Sequence, residues 1–344
     1  MSDIVMNFEF WGVVDSLLLE TSETLTIDNQ TNVFAPEVAV TLINDFHLKF
    51  FGEIAVSMIP KQPLLVISSE LGNLVPNFNP SEAYKSMAFL KDFTHDLTTA
   101  LWFIKDNGVC VRQSFFMPED IEQTGVAYYQ GLTNAEGFRK PTKFTIEEFS
   151  ESAVIMEKFK QVCPPPNAAE NLHDKMGTRD EFLQRGLDSN HLLPYNFPRL
   201  TRALFMLDQA RRTPAPVVKI TFYMSAFECL FSDGDTEAIT YKLGQRVAFL
   251  LATDKQERLN IRNSVKEGYK VRSSYIHGSE LSGQLKNHDK LISISVEIDD
   301  LLRKTFLKVI SEYGEQFMLS NNAFKKWLEE ELIYGSNQSS RVTT

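Results

Sequence analysis

A fixed cation and a side chain that titrates near neutral pH stand five positions apart towards the end of one predicted helix. They are Arg272 and His277. A guanidinium group can hold a phosphate through paired hydrogen bonds, and an imidazole can take up or release a proton near pH 7. Cleavage of an RNA phosphodiester requires both capacities. The pair is therefore the first candidate for chemistry in this chain.

The spacing of the pair carries little weight by itself. On an ideal α-helix five residues turn the chain by about 140°, so the two side chains share a face only if the last helical turn loosens. The segment from Asp254 to Gly278 predicts one helix, with Asp254 at its N-cap, apolar residues at a helical period and a glycine at its end. The neighbouring elements must decide what the pair does.

Three successive helices are predicted around the pair, over residues 217–231, 235–251 and 254–277. They carry three short motifs in order: Ala-Phe-Glu-x-Leu-Phe, Tyr-x-x-x-x-Arg and Tyr-x-x-Arg-Ser-x-x-x-His-Gly. Together these motifs resemble the HEPN superfamily, and within it the ApeA-like HEPN domains of bacterial anti-phage and toxin-type proteins. The resemblance covers residues 198–319 of the 344.

The resemblance implies a reaction and a site. In families with this signature, the Arg and the His act from a composite cleft at a dimer interface and cleave RNA without a metal. By position, His277 would act on the ribose 2′-hydroxyl or the leaving oxygen, and Arg272 would hold the scissile phosphate. Attack by the 2′-hydroxyl would leave a 2′,3′-cyclic phosphate and would exclude DNA as a substrate. No cofactor and no metal is expected.

Several residues near the pair are candidates for supporting roles. Glu228 lies in an otherwise apolar helix, where a carboxylate needs a partner. Arg246 and Arg272 are the two candidate partners, and the sequence favours Arg246, as a staple between helices. Tyr269 could contact phosphate, although a tyrosine at the edge of a core is the more frequent role. Ser273 stands where active relatives often carry Asn, Asp or His, and its hydroxyl offers fewer hydrogen bonds.

The charge of the chain limits how it can bind RNA. A net charge of −10 argues against a broad surface for nucleic acid, because neutralising phosphates needs clustered basic residues. The predicted RNA contacts are therefore local, on the signature helix: Arg262, Lys266 and Lys270. The alternative is that these residues only form the solvated face of that helix.

Composition also points to a compartment. The three cysteines are far apart and lack a metal-ligand rhythm, which is typical of reduced thiols. No run of about 18 apolar residues is present, and the first residues do not read as a secretion signal. The sequence therefore predicts a soluble cytoplasmic protein that does not use a membrane.

The chain is predicted to be α+β, with two domains. A β-rich mixed domain over residues 1–165 would sense a trigger or regulate, and residues 198–334 would form an all-α HEPN-type bundle. Residues 166–197 read as a connector after a run of three prolines, and residues 335–344 as a disordered tail. Strands are predicted by apolar alternation over residues 8–19, 37–51, 53–58 and 64–68. Helices are predicted over residues 81–106 and 145–162.

The favoured function is a metal-independent endoribonuclease of a bacterial anti-phage or toxin-like system. It would act as a homodimer on RNA, with tRNA as one candidate, under a phage-derived trigger or an inhibitory partner. The main alternative is an HEPN bundle without catalysis that dimerises, binds RNA or senses a signal. A third interpretation is a partner-bound antitoxin or adaptor. Ser273 and the acidic charge favour these alternatives, whereas the presence of Arg272, His277 and Gly278 favours the enzyme.

Overall fold

The chain forms two compact units. The computed structural model describes residues 7–20, 24–70, 83–119, 124–163, 197–233, 238–281 and 283–335. Of these, the first unit holds the described residues up to 132 together with 139–156, and the second holds 133–138, 157–163 and 197–335. The predicted proline boundary at residues 164–166, the connector up to residue 196 and the tail from residue 336 lie outside the described residues.

A six-stranded antiparallel sheet organises the first unit. Its strands are β1 (Asn7–Asp15), β3 (Leu25–Thr26), β4 (Thr31–Phe34), β5 (Leu64–Glu70), β6 (Cys110–Pro118) and β7 (Gly125–Tyr128). They lie in the order β3-β4-β5-β1-β6-β7, so β1 is central. Two further short strands, β2 (Leu17–Leu19) and β8 (Thr142–Phe144), pair in parallel as a separate ribbon. The predicted strands over residues 8–19 and 64–68 are confirmed.

Helices cover both faces of this sheet. They are α1 (Pro36–Ala39), α2 (Asp45–Val56), α3 (Ala83–Ile104) and α4 (Ile146–Val162). On one face Trp11 and Phe115 pack in a cluster with Val56 of α2. On the other face Val111 packs with Leu101 of α3. Because both faces are buried, β1 reads as a nearly continuous apolar run rather than a clean alternation.

The strands predicted over residues 37–51 and 53–58 are wrong, because this stretch forms α1 and α2. The cause is a reciprocal cap. The side chain of Asn44 accepts hydrogen bonds from the Phe46 and His47 N–H groups, and His47 Nδ1 accepts one from the Asn44 N–H at 3.1 Å. This arrangement starts a helix where apolar alternation predicts a strand. Gly52, at φ 79°, then kinks α2, so its apolar residues follow no single helical period.

The second unit is built from helices. They are α5 (Arg199–Arg212), α6 (Pro216–Phe231), α7 (Ile239–Leu251), α8 (Lys255–Ile276), α9 (His288–Lys308), α10 (Gly314–Phe317) and α11 (Asn321–Lys326), with π-helical turns at Val309–Tyr313 and Trp327–Gly335. The helices predicted over residues 217–231 and 254–277 are confirmed as α6 and α8. The helix predicted from residue 235 is described from Ile239 onwards. The α+β fold class is therefore confirmed.

Helix α6 lies at the centre of the second unit, and α8 crosses close to it. A Cβ atom on Gly268 of α8 would lie 3.0 Å from Met224 Sδ on α6 and 3.0 Å from Ile298 Cδ1 on α9. Three helices therefore meet at this glycine. Arg272, about one helical turn further along α8, is brought against α6 by the same approach.

A short segment between β7 and β8, residues 133–138, belongs to the helical unit; we call it the strap. The Thr133 N–H donates to the Arg211 carbonyl at 2.8 Å, at the end of α5. The Ser295 hydroxyl on α9 donates to the Ala135 carbonyl at 2.6 Å, and the buried Lys219 ammonium on α6 donates to the Thr133 carbonyl at 3.4 Å. The helical unit is thus completed by residues from the predicted N-terminal domain.

Candidate functional site

Arg272 of α8 forms a partly buried ion pair with Glu228 of α6. Its Nη2 atom lies 3.0 Å from Glu228 Oε2, and each side chain is 22% exposed. The guanidinium also lies over the Tyr269 ring, 5.5 Å from its centroid. The prediction that Glu228 pairs with Arg246 is wrong, because the Glu228 carboxylate pairs with Arg272, the other candidate.

Arg246 is engaged elsewhere, at the C-terminal end of α6. Its Nη2 atom lies 2.6 Å from Asp233 Oδ2, and its Nη1 donates to the Phe231 carbonyl at 2.5 Å. Arg199 of α5 donates to the next carbonyl, that of Ser232. Arg246 therefore ties α7 to the end of α6 and acts as structural support. The signal for its true partner was an aspartate two residues beyond the predicted helix end.

Glu228 links three side chains into what we call the Glu228 cluster: Glu228, Tyr269 and Arg272. The Tyr269 side chain also lies beside this carboxylate, close enough to affect its pKa. Burial raises the pKa of Glu228, and the charge and the hydrogen bond of Arg272 oppose that rise. Burial also raises the pKa of Tyr269, and the neighbouring carboxylate adds to the effect. The cluster fixes the orientation of the guanidinium.

The guanidinium of Arg272 retains unused hydrogen-bonding capacity. Its Nε atom is buried and has no hydrogen-bond partner in the described part of the chain. Among the described hydrogen bonds of this side chain, Nη2 alone contacts Glu228. Since a guanidinium carries five N–H donors, Arg272 can hold Glu228 and still donate to an oxyanion.

His277 lies at the C-cap of α8 with its side chain exposed. Its N–H donates to the Ser273 carbonyl at 3.1 Å, so the helix stays regular to its end. Gly278 then adopts φ 68°, and the Ser279 N–H donates to the Ser274 carbonyl at 2.9 Å. This is a Schellman closure, which requires a left-handed residue directly after the cap. It sets His277 at the rim of the bundle.

Arg272 and His277 point away from each other within one chain. Because α8 remains helical through Ile276, the five-residue spacing turns the side chains apart by about 140°. Arg272 faces α6, whereas His277 faces solvent. No hydrogen bond or ion pair joins the two side chains within the described residues. The loosened last turn that would bring them onto one face does not occur.

The predicted RNA-binding residues occupy the outer side of α8. Lys266 and Lys270 are exposed, and neither belongs to an ion pair in the described ranges. They fall on one helical stripe with Ser273 and His277, at steps of three and four residues. We call Lys266, Lys270 and His277 the basic stripe. Arg262 is partly buried and lies over the Tyr241 ring, 4.9 Å from its centroid. Its guanidinium is therefore less accessible to RNA than the ammonium groups of the two lysines.

No group of three or more His, Cys, Asp or Glu side chains among the described residues is arranged to hold a metal ion. None of the described helices is both long and apolar enough to cross a lipid bilayer. Comparison of the chain with protein-family models, with curated proteins and with solved structures found no match. The geometry of the Glu228 cluster and of the basic stripe is therefore the basis for assigning a function.

Proposed function

We propose that the protein is a metal-independent endoribonuclease that works as a homodimer, in an anti-phage or toxin-like system. The observation that carries the proposal is the state of Arg272, whose guanidinium pairs with Glu228 through Nη2 and lies over the Tyr269 ring, while the side chain stays 22% exposed and keeps further N–H donors. Such a preorganised donor group suits the charge that develops on a phosphorane. His277, exposed on the basic stripe, supplies the group for proton transfer.

The chemistry would be transfer of the phosphoryl group to the adjacent 2′-oxygen. The His277 imidazole accepts the 2′-hydroxyl proton as that oxygen bonds to phosphorus, and the bond to the 5′-oxygen breaks. The 5′-oxygen takes a proton from water as it leaves, and the imidazolium returns its proton to water, which gives a 5′-hydroxyl and a 2′,3′-cyclic phosphate. Arg272 stabilises the negative charge on the non-bridging oxygens, and Lys266 with Lys270 attracts the neighbouring phosphates.

A homodimer accounts for the divergence of the two side chains. A phosphate in contact with Arg272 is turned away from His277 of the same chain, so the imidazole would come from a second copy. Tyr275 and Ile276, beside His277, are 48% and 54% exposed and offer an apolar surface for that contact. The composite site would then hold Arg272 of one copy and His277 of the other.

The first test is cleavage of total RNA and of labelled tRNA by the full chain in EDTA. Arg272→Ala and His277→Ala should each reduce cleavage by at least about a hundredfold, since each removes a group used in the transition state. His288→Ala, at an exposed histidine at the start of α9, is the matched control and should cleave at the wild-type rate. Cleavage that persists in His277→Ala would refute the proposal. Absence of RNA cleavage by the wild type, even after addition of infected-cell extract, would also refute it.

Mixing the two inactive variants tests the dimer. If the site takes Arg272 from one copy and His277 from the other, half of the dimers would be mixed and each would hold one intact site of two, which restores about a quarter of wild-type activity. If both residues came from the same copy, mixing would restore nothing. A monomer by light scattering at micromolar concentration would exclude the composite site.

The competing function is an RNA-binding or dimerising module without catalysis. The divergence of Arg272 and His277, together with Ser273 in place of a better hydrogen-bonding residue, favours it. RNA binding would then depend on Lys266 and Lys270 but not on His277. Lys266→Ala with Lys270→Ala should weaken binding and reduce its salt dependence, while His277→Ala should leave both unchanged.

A further inference from the structure

A cavity of about 720 Å³ opens at the side of the sheet where inner strands of the first unit begin or end. Its walls come from the ends of the three central strands β5, β1 and β6 and from the first turn of α2. Residues on these walls include Asn7, Glu9, Asn44, His47, Ser68 and Glu119. We call this site the edge pocket. None of its lining residues is a lysine or an arginine among those the structure describes.

Two carboxylates lie on the face of the sheet that α2 covers, at the ends of β1 and β6. Glu9 lies two residues before the buried Trp11, and Glu119 two residues after the buried Met117, so strand alternation places all four on the same face. Glu9 is also directly opposite Met117 in the β1–β6 pairing. Both glutamates therefore stand where the apolar face of the sheet ends and the pocket begins.

Neither carboxylate is neutralised by a cation in the described part of the chain. Glu9 Oε2 accepts a hydrogen bond from Trp11 Nε1 at 3.1 Å, and Glu119 Oε1 accepts one from Asn7 Nδ2 at 2.8 Å. Both donors are neutral groups. The pocket thus presents two negative charges together with free acceptor positions.

His47 provides a second, independent feature of the pocket. It is 6% exposed and stacks on Trp11 with ring centroids 4.2 Å apart. Its Nδ1 accepts the Asn44 N–H, so the neutral imidazole carries its proton on Nε2. No described residue is hydrogen-bonded to that Nε2, which is not fully buried, and His47 lines the pocket. The Nε2–H is therefore available to donate to an acceptor on a bound molecule.

We propose that the edge pocket binds a small organic cation, an amine or guanidinium compound that also carries a hydrogen-bond acceptor. Glu9 and Glu119 would pair with the positive charge, and the His47 Nε2–H would donate to the acceptor. Phe46 and Met117 supply apolar contact for the rest of the ligand. Anionic ligands such as nucleotides are disfavoured because they would face two carboxylates and no lining cation. The proposal is independent of the ribonuclease function.

Calorimetric titration of the full chain with arginine amide tests the proposal, because this probe has two cationic groups and a carbonyl acceptor. Saturable binding of one molecule per chain is expected. Binding should weaken at least about tenfold when Glu9→Gln and Glu119→Gln are combined, since charge-assisted hydrogen bonds become neutral ones. Glu53→Gln, at an exposed glutamate on α2 outside the pocket lining, is the matched control and should bind as the wild type does.

Three outcomes would overturn the proposal: no saturable binding of arginine amide, equal affinity in the double variant, or tighter binding of ATP than of arginine amide. Agmatine, which has both cationic groups but not the carbonyl acceptor, should bind more weakly than arginine amide. Both glutamates are exposed, so the Gln substitutions should leave the unfolding midpoint unchanged, and that measurement separates lost binding from lost structure.

Discussion

The guanidinium of Arg272 and the carboxylate of Glu228 meet at 3.0 Å between two packed helices, and both side chains are largely withdrawn from water. The pair orients Arg272 but places Glu228 where an ionised carboxylate is poorly solvated. Burial outweighs the attraction of Arg272, because the pKa of Glu228 is raised. The pair is therefore better explained by positioning of the guanidinium than by a contribution to stability.

The raised pKa of Glu228 predicts how stability depends on pH. Below the ordinary value of 4.5 the carboxyl is protonated in both the folded and the unfolded states. As the pH rises through the folded-state pKa, the unfolded state loses its proton first, so this residue's contribution to stability is lost. We expect the free energy of unfolding of the wild type to fall relative to that of Glu228→Gln between about pH 4 and pH 7, as measured by urea unfolding. A difference that grows in favour of the wild type would contradict this.

Replacement of Gly278 tests the closure that positions His277. The residue adopts φ 68°, and no atom lies within 4 Å of a built Cβ, so the expected penalty is purely conformational. Gly278→Ala should lower the free energy of unfolding by about 1 kcal/mol. Gly278→Asn should cost less, because asparagine tolerates the left-handed region. Denaturant titration of the three proteins measures both differences, and an equal loss in Asn and Ala would argue against the conformational cause.

The parts of the fold that depend on residues close together in the sequence were predictable. Contacts between residues far apart in the sequence were not. Helices α6 and α8 were predicted because caps and apolar period act within a few residues of each other. The region of α1 and α2 was mispredicted because the Asn44–His47 cap overrode an alternating pattern. The partner of Glu228 could not be read from sequence, since it depends on how closely α8 crosses α6 at Gly268.

The strap shows the same limit over a longer distance. Its hydrogen bonds join Thr133 to Arg211 and Ala135 to Ser295, and the second pair is separated by 160 residues. No local pattern marks residues 133–138 as part of a helical unit. The edge pocket was missed for a related reason: His47 is an isolated histidine in an apolar stretch until the ends of β1 and β6 are brought beside it.

Gly137 tests whether the strap is required by the helical unit. A Cβ atom there would lie 2.1 Å from the Pro214 carbonyl oxygen, and the residue adopts φ 93°. Gly137→Ala should therefore lower the free energy of unfolding by about 3 kcal/mol or more, through both strain and overlap. Gly278→Ala is the control, because it carries the conformational penalty without the overlap. Similar decreases in the free energy of unfolding of the two variants would mean that the strap can shift to accommodate the added methyl group without a large loss of stability.

Deletion of residues 1–165 should destabilise the helical unit as well as remove the first unit. It would delete the strap together with Phe159, which packs on Phe306, and Cys163, which contacts Thr201. We expect a fragment that begins at residue 166 to unfold at lower denaturant concentration than the helical unit of the full chain. A fragment as stable as the full chain would contradict this. Lost activity in such a fragment would report unfolding and could not by itself show that the first unit regulates cleavage.

The buried histidine of the edge pocket predicts a second pH dependence, of opposite sign to that of Glu228. Burial lowers the pKa of His47 below the ordinary 6.5, and the nearby Glu9 only partly offsets this. As the pH falls below about 6.5, His47 becomes protonated in the unfolded state while it is still neutral in the folded state, so the free energy of unfolding decreases. His47→Gln keeps an acceptor for the Asn44 N–H, as in a capping box, but cannot titrate.

The wild type should consequently lose more unfolding free energy between pH 7 and pH 5 than His47→Gln does, when both are measured by denaturant titration. The variant also loses the stacking on Trp11, which lowers its stability at every pH, so the slope with pH and not the absolute value is the quantity to compare. Equal slopes in the wild type and in His47→Gln would show that His47 accepts its proton in the folded state as readily as in the unfolded one. The neutral Nε2–H donor assigned to the edge pocket would then not persist at acid pH.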